Sequence, residues 1–241
     1  MSTSYYIAAC AFTKKFPEIS LKIQNYVKDR FNYNVVRCCV PKYKLEEYTL
    51  KMPEWYRDSW SQLKDSHYAE TGDTVYSICH NCSAIIEEQT HNVNVKSIWE
   101  LIAENESFKS PDYSGKTITV QDCWRAYDRI EEQLAVRKIL SKMNIKVVEL
   151  EKNFGNTEFC GFSLLQPCFP RNRVLAPKRY GEAAENTGKF IPHTDEQKLE
   201  IMKKHCSQIT TDEVVCYCHY CLEGLQLGGA NALHLAQLVF N

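Results

Sequence analysis

Nearly the same eight residues occur twice in the chain, as VYSICHNC ending at Cys82 and as VVCYCHYC ending at Cys221. Each copy holds a Cys-x-x-Cys pair with a histidine inside it, His80 in the first and His219 in the second. Twelve cysteines stand in 241 residues: Cys10, Cys38, Cys39, Cys79, Cys82, Cys123, Cys160, Cys168, Cys206, Cys216, Cys218 and Cys221. A disulfide scaffold of the secreted kind is shorter and richer in turns, whereas this chain has nine glycines and long helical patterns. Clustered thiols in a reducing compartment point instead to metal ligation or thiol redox chemistry, both of which use the thiolate. Burial of cysteine as a small hydrophobe accounts for a few of the twelve. It does not account for an adjacent pair and two Cys-x-x-Cys pairs.

The spacing narrows the chemistry. In the first half a single Cys10 is followed by the adjacent Cys38 and Cys39 and then by Cys79 and Cys82. Zinc closes a tetrahedral structural site with four ligands, so a fifth thiol is surplus. Iron–sulfur clusters are also held by cysteine thiolates, and an adjacent pair can reach different irons of one cluster. In the second half Cys123, Cys160, Cys218 and Cys221 follow the same order, with Phe159 where the first member of the adjacent pair would stand. Positions 216 and 218 share a face in a strand, so Cys216 could supply the missing thiol; Cys168 is the less favoured substitute. His80 and His219 are read as hydrogen-bonding to the metal-bound groups rather than as ligands. Arg125, two residues after Cys123, could face an anionic cluster or substrate. Cys206 is expected to pack on a helix, and His193 and His205 to be surface residues.

These residues need elements to bring them together. The first half reads as a strand at SYYIAAC, a helix through Pro17 with Ile19, Ile23, Val27 and Phe31 on one face, and a strand at NYNVVRCC. An aromatic and charged stretch over 41–72 is expected as helical cover. A strand then runs into the first Cys-x-x-Cys, and NVKSIWELIAEN reads as a helix. The second half repeats the order. KTITVQDC is a strand, and the helix after Arg125 carries Ile130, Leu134, Ile139, Leu140 and Met143 as its apolar side. A further strand follows, then an insert over about 165–210, the strand into the second Cys-x-x-Cys, and a closing helix at NALHLAQLVF. The boundary falls near Pro111 and Gly115, giving domains of 1–112 and 113–241. Alternating strands and helices predict an α/β fold with parallel sheets. The cysteines then lie at the carboxyl ends of strands, where such sheets build their sites and helix N-termini favour anionic groups.

Bulk properties exclude some classes of partner. Apolar residues make up 44%, charged residues 24%, and the formal net charge is -1, so no global attraction to nucleic acid or an anionic membrane is expected. No apolar stretch approaches the roughly 20 residues of a membrane span, and MSTSYYIAACAFTKKF lacks a signal-like pattern, so a cytoplasmic protein is expected.

Cys10, the Cys38–Cys39 pair and the Cys79/Cys82 pair, with AACAFTKKFPEI and ICHNC around them, resemble the cysteine-rich CCG domain. The tandem arrangement over almost the whole chain is similar to the catalytic subunit of heterodisulfide reductase and related thiol-disulfide and glycolate- or lactate-oxidising complexes. The resemblance implies two tandem Rossmann-like CCG units related by pseudo-twofold duplication. It implies a non-cubane four-iron, four-sulfur cluster at Cys10, Cys38, Cys39, Cys79 and Cys82, although Val40–Pro41 replaces the family's glycine after the pair. The second motif has four thiols, and its site could hold a four-iron, four-sulfur cluster, zinc or nothing. The implied function is electron exchange with a disulfide/thiol couple, that of an oxidoreductase or its catalytic subunit. An iron–sulfur or flavin electron-transfer protein would be the partner, since the chain lacks a ferredoxin-like run of its own. A small thiol or disulfide would be the substrate. The competing expectation is a non-enzymatic metal-binding or assembly protein with structural zinc or cubane sites.

Overall fold

A computed structural model of the chain describes residues 3–65 and 72–241. The first two residues of the opening segment and residues 66–71 of the expected aromatic cover lie outside the described residues. Two compact units divide the chain: the first runs to Leu101 and includes Phe240, and the second takes the remainder from Ile102.

The first unit opens with β1 (Ser4–Ile7), α1 (Cys10–Lys15), α2 (Pro17–Phe31) and β2 (Asn34–Val36). Proline at its first turn starts α2, and Asn32 ends it in the left-handed region at φ 54°, its amide reaching the carbonyls of Lys28 and Val27. Ile23 and Val27 are buried on its inner face. Gln24 is buried there too, its Nε2 donating to the Tyr56 hydroxyl at 2.6 Å and to Ser20 Oγ at 3.0 Å. The cover consists of α3 (Leu45–Lys51) and α4 (Glu54–Gln62); Tyr56 and Trp60 of α4 are fully buried, while Trp55 is exposed. Next come β3 (Thr74–Ser77), α5 (His80–Gln89), β4 (Asn94–Ser97) and α6 (Ile98–Glu104), in which the unit boundary falls. The four strands form one parallel sheet in the order β2-β1-β3-β4.

In the second unit the order is β5 (Thr117–Gln121), a 3-10 turn at Trp124–Ala126, α7 (Ile130–Lys142), β6 (Lys146–Glu149) and a 3-10 turn at Gly161–Leu164. The insert carries α8 (Pro170–Leu175), α9 (Ala183–Asn186) and α10 (Asp195–Cys206), followed by β7 (Val214–Cys216), α11 (His219–Leu227), β8 (Ala232–His234) and α12 (Leu235–Val239). Thr194 starts α10 with a capping box: its hydroxyl accepts from the Gln197 amide at 3.3 Å, and its own amide donates to Gln197 Oε1 at 2.9 Å. The sheet is again four-stranded and parallel, in the order β6-β5-β7-β8. The chain is therefore α/β with two parallel sheets of the same strand order.

Three local expectations are corrected. The stretches expected as single helices at NVKSIWELIAEN and NALHLAQLVF each begin with an edge strand, β4 and β8, before the helix starts. On α7, Ile130 and Leu134 are about half exposed, and the inner face is built from Ala135, Val136, Ile139 and Leu140. His205 is not a free surface residue: its ring stacks on Phe159 with centroids 3.8 Å apart. Among the described residues no helix is long and apolar enough to cross a membrane.

Candidate metal centre

The four thiols of the second motif converge. Cys123, Cys160, Cys218 and Cys221 are all buried, and their sulfurs lie within 4.8 Å of one another. Cys123 Sγ is 3.4 Å from Cys160 Sγ, which is 3.9 Å from Cys218 Sγ. Three of the thiols are delivered just beyond strands: Cys123 after β5, and Cys218 and Cys221 after β7, where Cys218 caps α11 and Cys221 sits in its first turn. Cys123 and Cys160 each precede a 3-10 turn, and Cys160 lies well beyond the end of β6. Each thiol stands where a turn of helix begins, with backbone amides free to face negative charge.

Cys160 reaches the group through a close backbone crossing. Gly161 adopts φ 59°, and a Cβ placed on it would lie 2.1 Å from the Tyr220 carbonyl oxygen. A Cβ on Gly224 of α11 would lie 2.3 Å from Gly161 Cα. Only glycine at both positions lets the Cys160 loop lie against α11. Phe159 anchors the same loop with its carbonyl, which accepts from the Trp124 amide at 2.8 Å and faces Cys221 Sγ at 3.9 Å.

The surrounding charge is arranged for a thiolate. Arg125 is buried, its Nη1 2.7 Å from Cys160 Sγ and 3.1 Å from Ser163 Oγ. Its guanidinium lies 4.8 Å from the Tyr220 ring centroid and 5.4 Å from that of Phe190. Burial pushes the Cys160 thiol up, but hydrogen bonds from Cys123 and Cys221 and the Arg125 charge outweigh it and hold Cys160 below the ordinary thiol range. Burial pushes Cys123 and Cys221 the other way. Behind them Asp122, buried beside Cys123, accepts from Arg137 Nη1 at 2.5 Å and Nη2 at 2.7 Å, from the Tyr217 hydroxyl at 2.7 Å and from the Phe154 amide at 2.7 Å. This carboxylate ties the end of β5 to the residue before Cys218. Sequence reasoning missed it; the only signal was an acidic residue beside a ligand.

In the first unit the five thiols pair with one another but are not drawn into one group as close as that of the second unit. Cys38 is hydrogen-bonded to Cys10, with Cys39 close enough for its charge to be felt, and Cys82 is hydrogen-bonded to both Cys39 and Cys79. Those bonds, with burial, push the Cys38 and Cys82 thiols up. Cys10 is the first residue of α1, and Cys79 caps α5 with Cys82 in its first turn. Arg37 fixes the Cys38–Cys39 segment by donating to the Ser61 carbonyl and to Asp65 Oδ1, both at 2.7 Å. Tyr6 is fully buried, and its hydroxyl has no hydrogen-bond partner among the described residues. Burial and then the charges of Tyr56, Cys82 and Cys79 push it well above the ordinary phenol value.

The remaining candidates stand apart. Cys216 is buried at the end of β7, its Sγ 3.6 Å from the Cys218 carbonyl oxygen and 3.7 Å from that of Leu233, and it is not one of the four grouped thiols. Cys168 Sγ is 3.7 Å from the Phe169 carbonyl oxygen, and Cys206 Sγ is 3.5 Å from that of Leu225. His80 and His219 are buried in the first turns of α5 and α11. His219 Nε2 has no hydrogen-bond partner among the described residues.

No protein-family model matches the chain, and no curated protein does either. Among solved structures, glutamate racemase isoform RacE1 from Bacillus anthracis is similar at a TM-score of 0.34 and 9% identity, over 99% of this chain and 78% of that one. So slight a likeness carries no argument about what this chain does.

Proposed function

We propose that the protein is a metal-binding redox protein of the kind that serves as the catalytic subunit of heterodisulfide reductase, built from two copies of one cysteine-bearing α/β unit. The observation that carries metal binding is the buried group of Cys123, Cys160, Cys218 and Cys221, with all sulfurs within 4.8 Å. Metal–sulfur bonds of about 2.3 Å in a tetrahedron place the sulfurs about 3.8 Å apart. The distances of 3.4 and 3.9 Å bracket that value, so this site is read as a closed tetrahedral site for one ion, zinc above all. The five thiols of the first unit fall in two linked sets, Cys10 with Cys38, and Cys39 with Cys82 and Cys79, a wider spread that suits a polynuclear iron–sulfur cluster better than one ion. Such a cluster would supply one-electron chemistry towards a disulfide/thiol couple; Cys10, Cys38, Cys39, Cys79 and Cys82 would hold it. The unpartnered Tyr6 hydroxyl supports this reading, since a buried phenol needs an acceptor and cluster sulfur is one.

A second reading is favoured by the completeness of the four-thiol site. Four protein ligands leave no open position, as in structural zinc sites, and a protein with only such sites would be a non-enzymatic binding or assembly module. Anaerobic purification with iron, acid-labile sulfide and zinc analysis separates the two. The redox reading requires several irons and sulfides per chain, lost together in Cys38→Ser or Cys39→Ser, alongside one zinc lost in Cys218→Ser. Zinc alone, at one or two ions per chain, supports the structural module and overturns the redox reading.

A further inference from the structure

The second unit contains a cavity of about 500 Å³ that touches the four-thiol group along one wall, at Cys160, and is otherwise unused by it. We propose that this cavity is a binding site for a small organic anion with an apolar body, such as an aryl or medium-chain alkyl carboxylate or sulfonate. The inference goes beyond the redox reading and stands whichever metal the thiols hold.

Its volume lies in the range of small-molecule sites, which pair an apolar lining with a few placed polar groups. Phe159, Leu164, Ile201 and Met202 supply the apolar lining, and the Phe159 ring is held flat against His205, with 12° between the planes. Phe159 occupies the position of the thiol that the first unit has and the second lacks. Its ring thus turns a ligand position into a cavity wall.

Charge selects the sign of the ligand. The cavity edge carries Lys152, Lys189 and Lys204 against Glu151 and Glu158. Lys152 and Glu158 are taken up with each other at 2.6 Å. Lys189 and Lys204 form no ion pair among the described residues, which leaves one net positive charge facing the space. Lys189 is half-buried, and burial disfavours its charged form; Glu158 offsets this in part, and Lys152 adds a smaller push the same way as burial. A bound anion would relieve the burial and the repulsion from Lys152.

The segment presenting Lys189 is pinned. Gly188 and Phe190 on either side adopt φ of 61° and 63°, and a bulky residue such as Phe190 holds the left-handed region only when its surroundings fix it there. The Lys189 amide donates to the Ala184 carbonyl at 2.8 Å and the Phe190 amide to the Leu164 carbonyl at 2.7 Å. The Phe190 ring turns inward to an edge contact with Trp124 at 5.9 Å. The ammonium is thereby offered at the cavity from a fixed backbone.

The test uses the full chain, purified anaerobically with its metal, and 1-anilinonaphthalene-8-sulfonate as a fluorescent probe. We expect saturable binding at one site per chain. Octanoate should displace the probe at least tenfold more effectively than octanol or octylamine. Lys189→Glu should weaken probe binding at least tenfold, and Ile201→Trp should abolish it by filling the space, with circular dichroism melts confirming that each variant is folded. If Ile201→Trp does not fold, Lys189→Glu and the competition series decide alone. Equal displacement by octanol would show an apolar surface rather than an anion site. Unchanged affinity in Lys189→Glu, or no saturable binding, would likewise overturn the proposal.

Discussion

Gly161 and Gly224 touch backbone to backbone, and that crossing decides whether Cys160 can join the other three thiols. A methyl group on Gly224 would fall 2.3 Å from Gly161 Cα, a contact with main chain that no rotamer change relieves. It would also press on Met202 Sδ at 2.9 Å. Gly224→Ala should therefore push the Cys160 loop off α11. The expected outcome is loss of the metal held by the four thiols and a destabilisation of about 1–3 kcal/mol, the usual cost of overpacking. Metal content and a urea midpoint on one preparation check both. Full metal occupancy in Gly224→Ala would show that the crossing is not what brings Cys160 in.

Arg125 is the nearest positive charge to the four thiols. A buried guanidinium is costly unless paired, and its Nη1 sits 2.7 Å from Cys160 Sγ. Arg125→Gln removes the charge while keeping a donor, and should weaken metal binding by roughly 10- to 100-fold, the range found for groups supporting metal ligands. Arg125→Lys should fall between, because it keeps the charge but loses the planar guanidinium that lies over the Tyr220 and Phe190 rings. Competition with a chromophoric chelator reads the affinity directly, and equal affinity in all three proteins would remove Arg125 from the centre.

Asp122 should matter to the fold as well as to the site. Its carboxylate receives Arg137, Tyr217 and the Phe154 amide, and it is fully buried. Asp122→Ala strands a mostly buried guanidinium, a phenol and an amide together. Glu149 still pairs with Arg137 at 2.7 Å, which limits the loss. A destabilisation of about 3 kcal/mol is expected, read as a lower urea midpoint in the metal-loaded protein. A shift under about 1 kcal/mol would mean that water replaces the carboxylate at little cost.

How much of this was legible in the sequence depends on the range of the interaction. The strand–helix order, the four second-unit thiols and the helix N-termini beneath them follow from local patterns, and the structure has them. The edge strands β4 and β8 do not. Each is short and runs straight into a helix, so the apolar period of the helix masks it, and only pairing with β3 or β7 far along the chain makes it a strand. Alternation placed Cys216 and Cys218 on one face, but β7 ends at Cys216 and Cys218 already caps α11. The two thiols therefore do not obey strand geometry together. On α7 the expected stripe is right at Ile139, Leu140 and Met143, which are buried, but wrong at Ile130 and Leu134, where the inner face turns instead through Ala135 and Val136. The Gly161–Gly224 crossing and the stacking of Phe159 on His205 are tertiary contacts with no sequence period at all.

His205 should make the fold sensitive to acid. Its Nε2 donates to Gln121 Oε1 at 2.5 Å, and its Nδ1 accepts from Gln208 Nε2 at 3.0 Å, so the neutral ring is fully satisfied. Protonating Nδ1 would set a donor against a donor beside Phe159. The charged groups around the same space are Lys152, Lys189, Lys204, Glu151 and Glu158. Burial lowers the His205 pKa from 6.5 to about 4. Between those values the unfolded chain binds the proton and the folded chain does not. Stability is therefore full above pH 6.5 and falls as pH drops towards 4. A shift of this size corresponds to about 3 kcal/mol, and partial exposure of the ring brings the expectation to about 2 kcal/mol. Urea unfolding at about pH 7 and about pH 5, on wild type and His205→Gln, isolates this contribution from the other titrating groups. The wild type should lose more stability than the variant between the two pH values. Parallel losses in both proteins would show that His205 takes up its proton without opposing the fold.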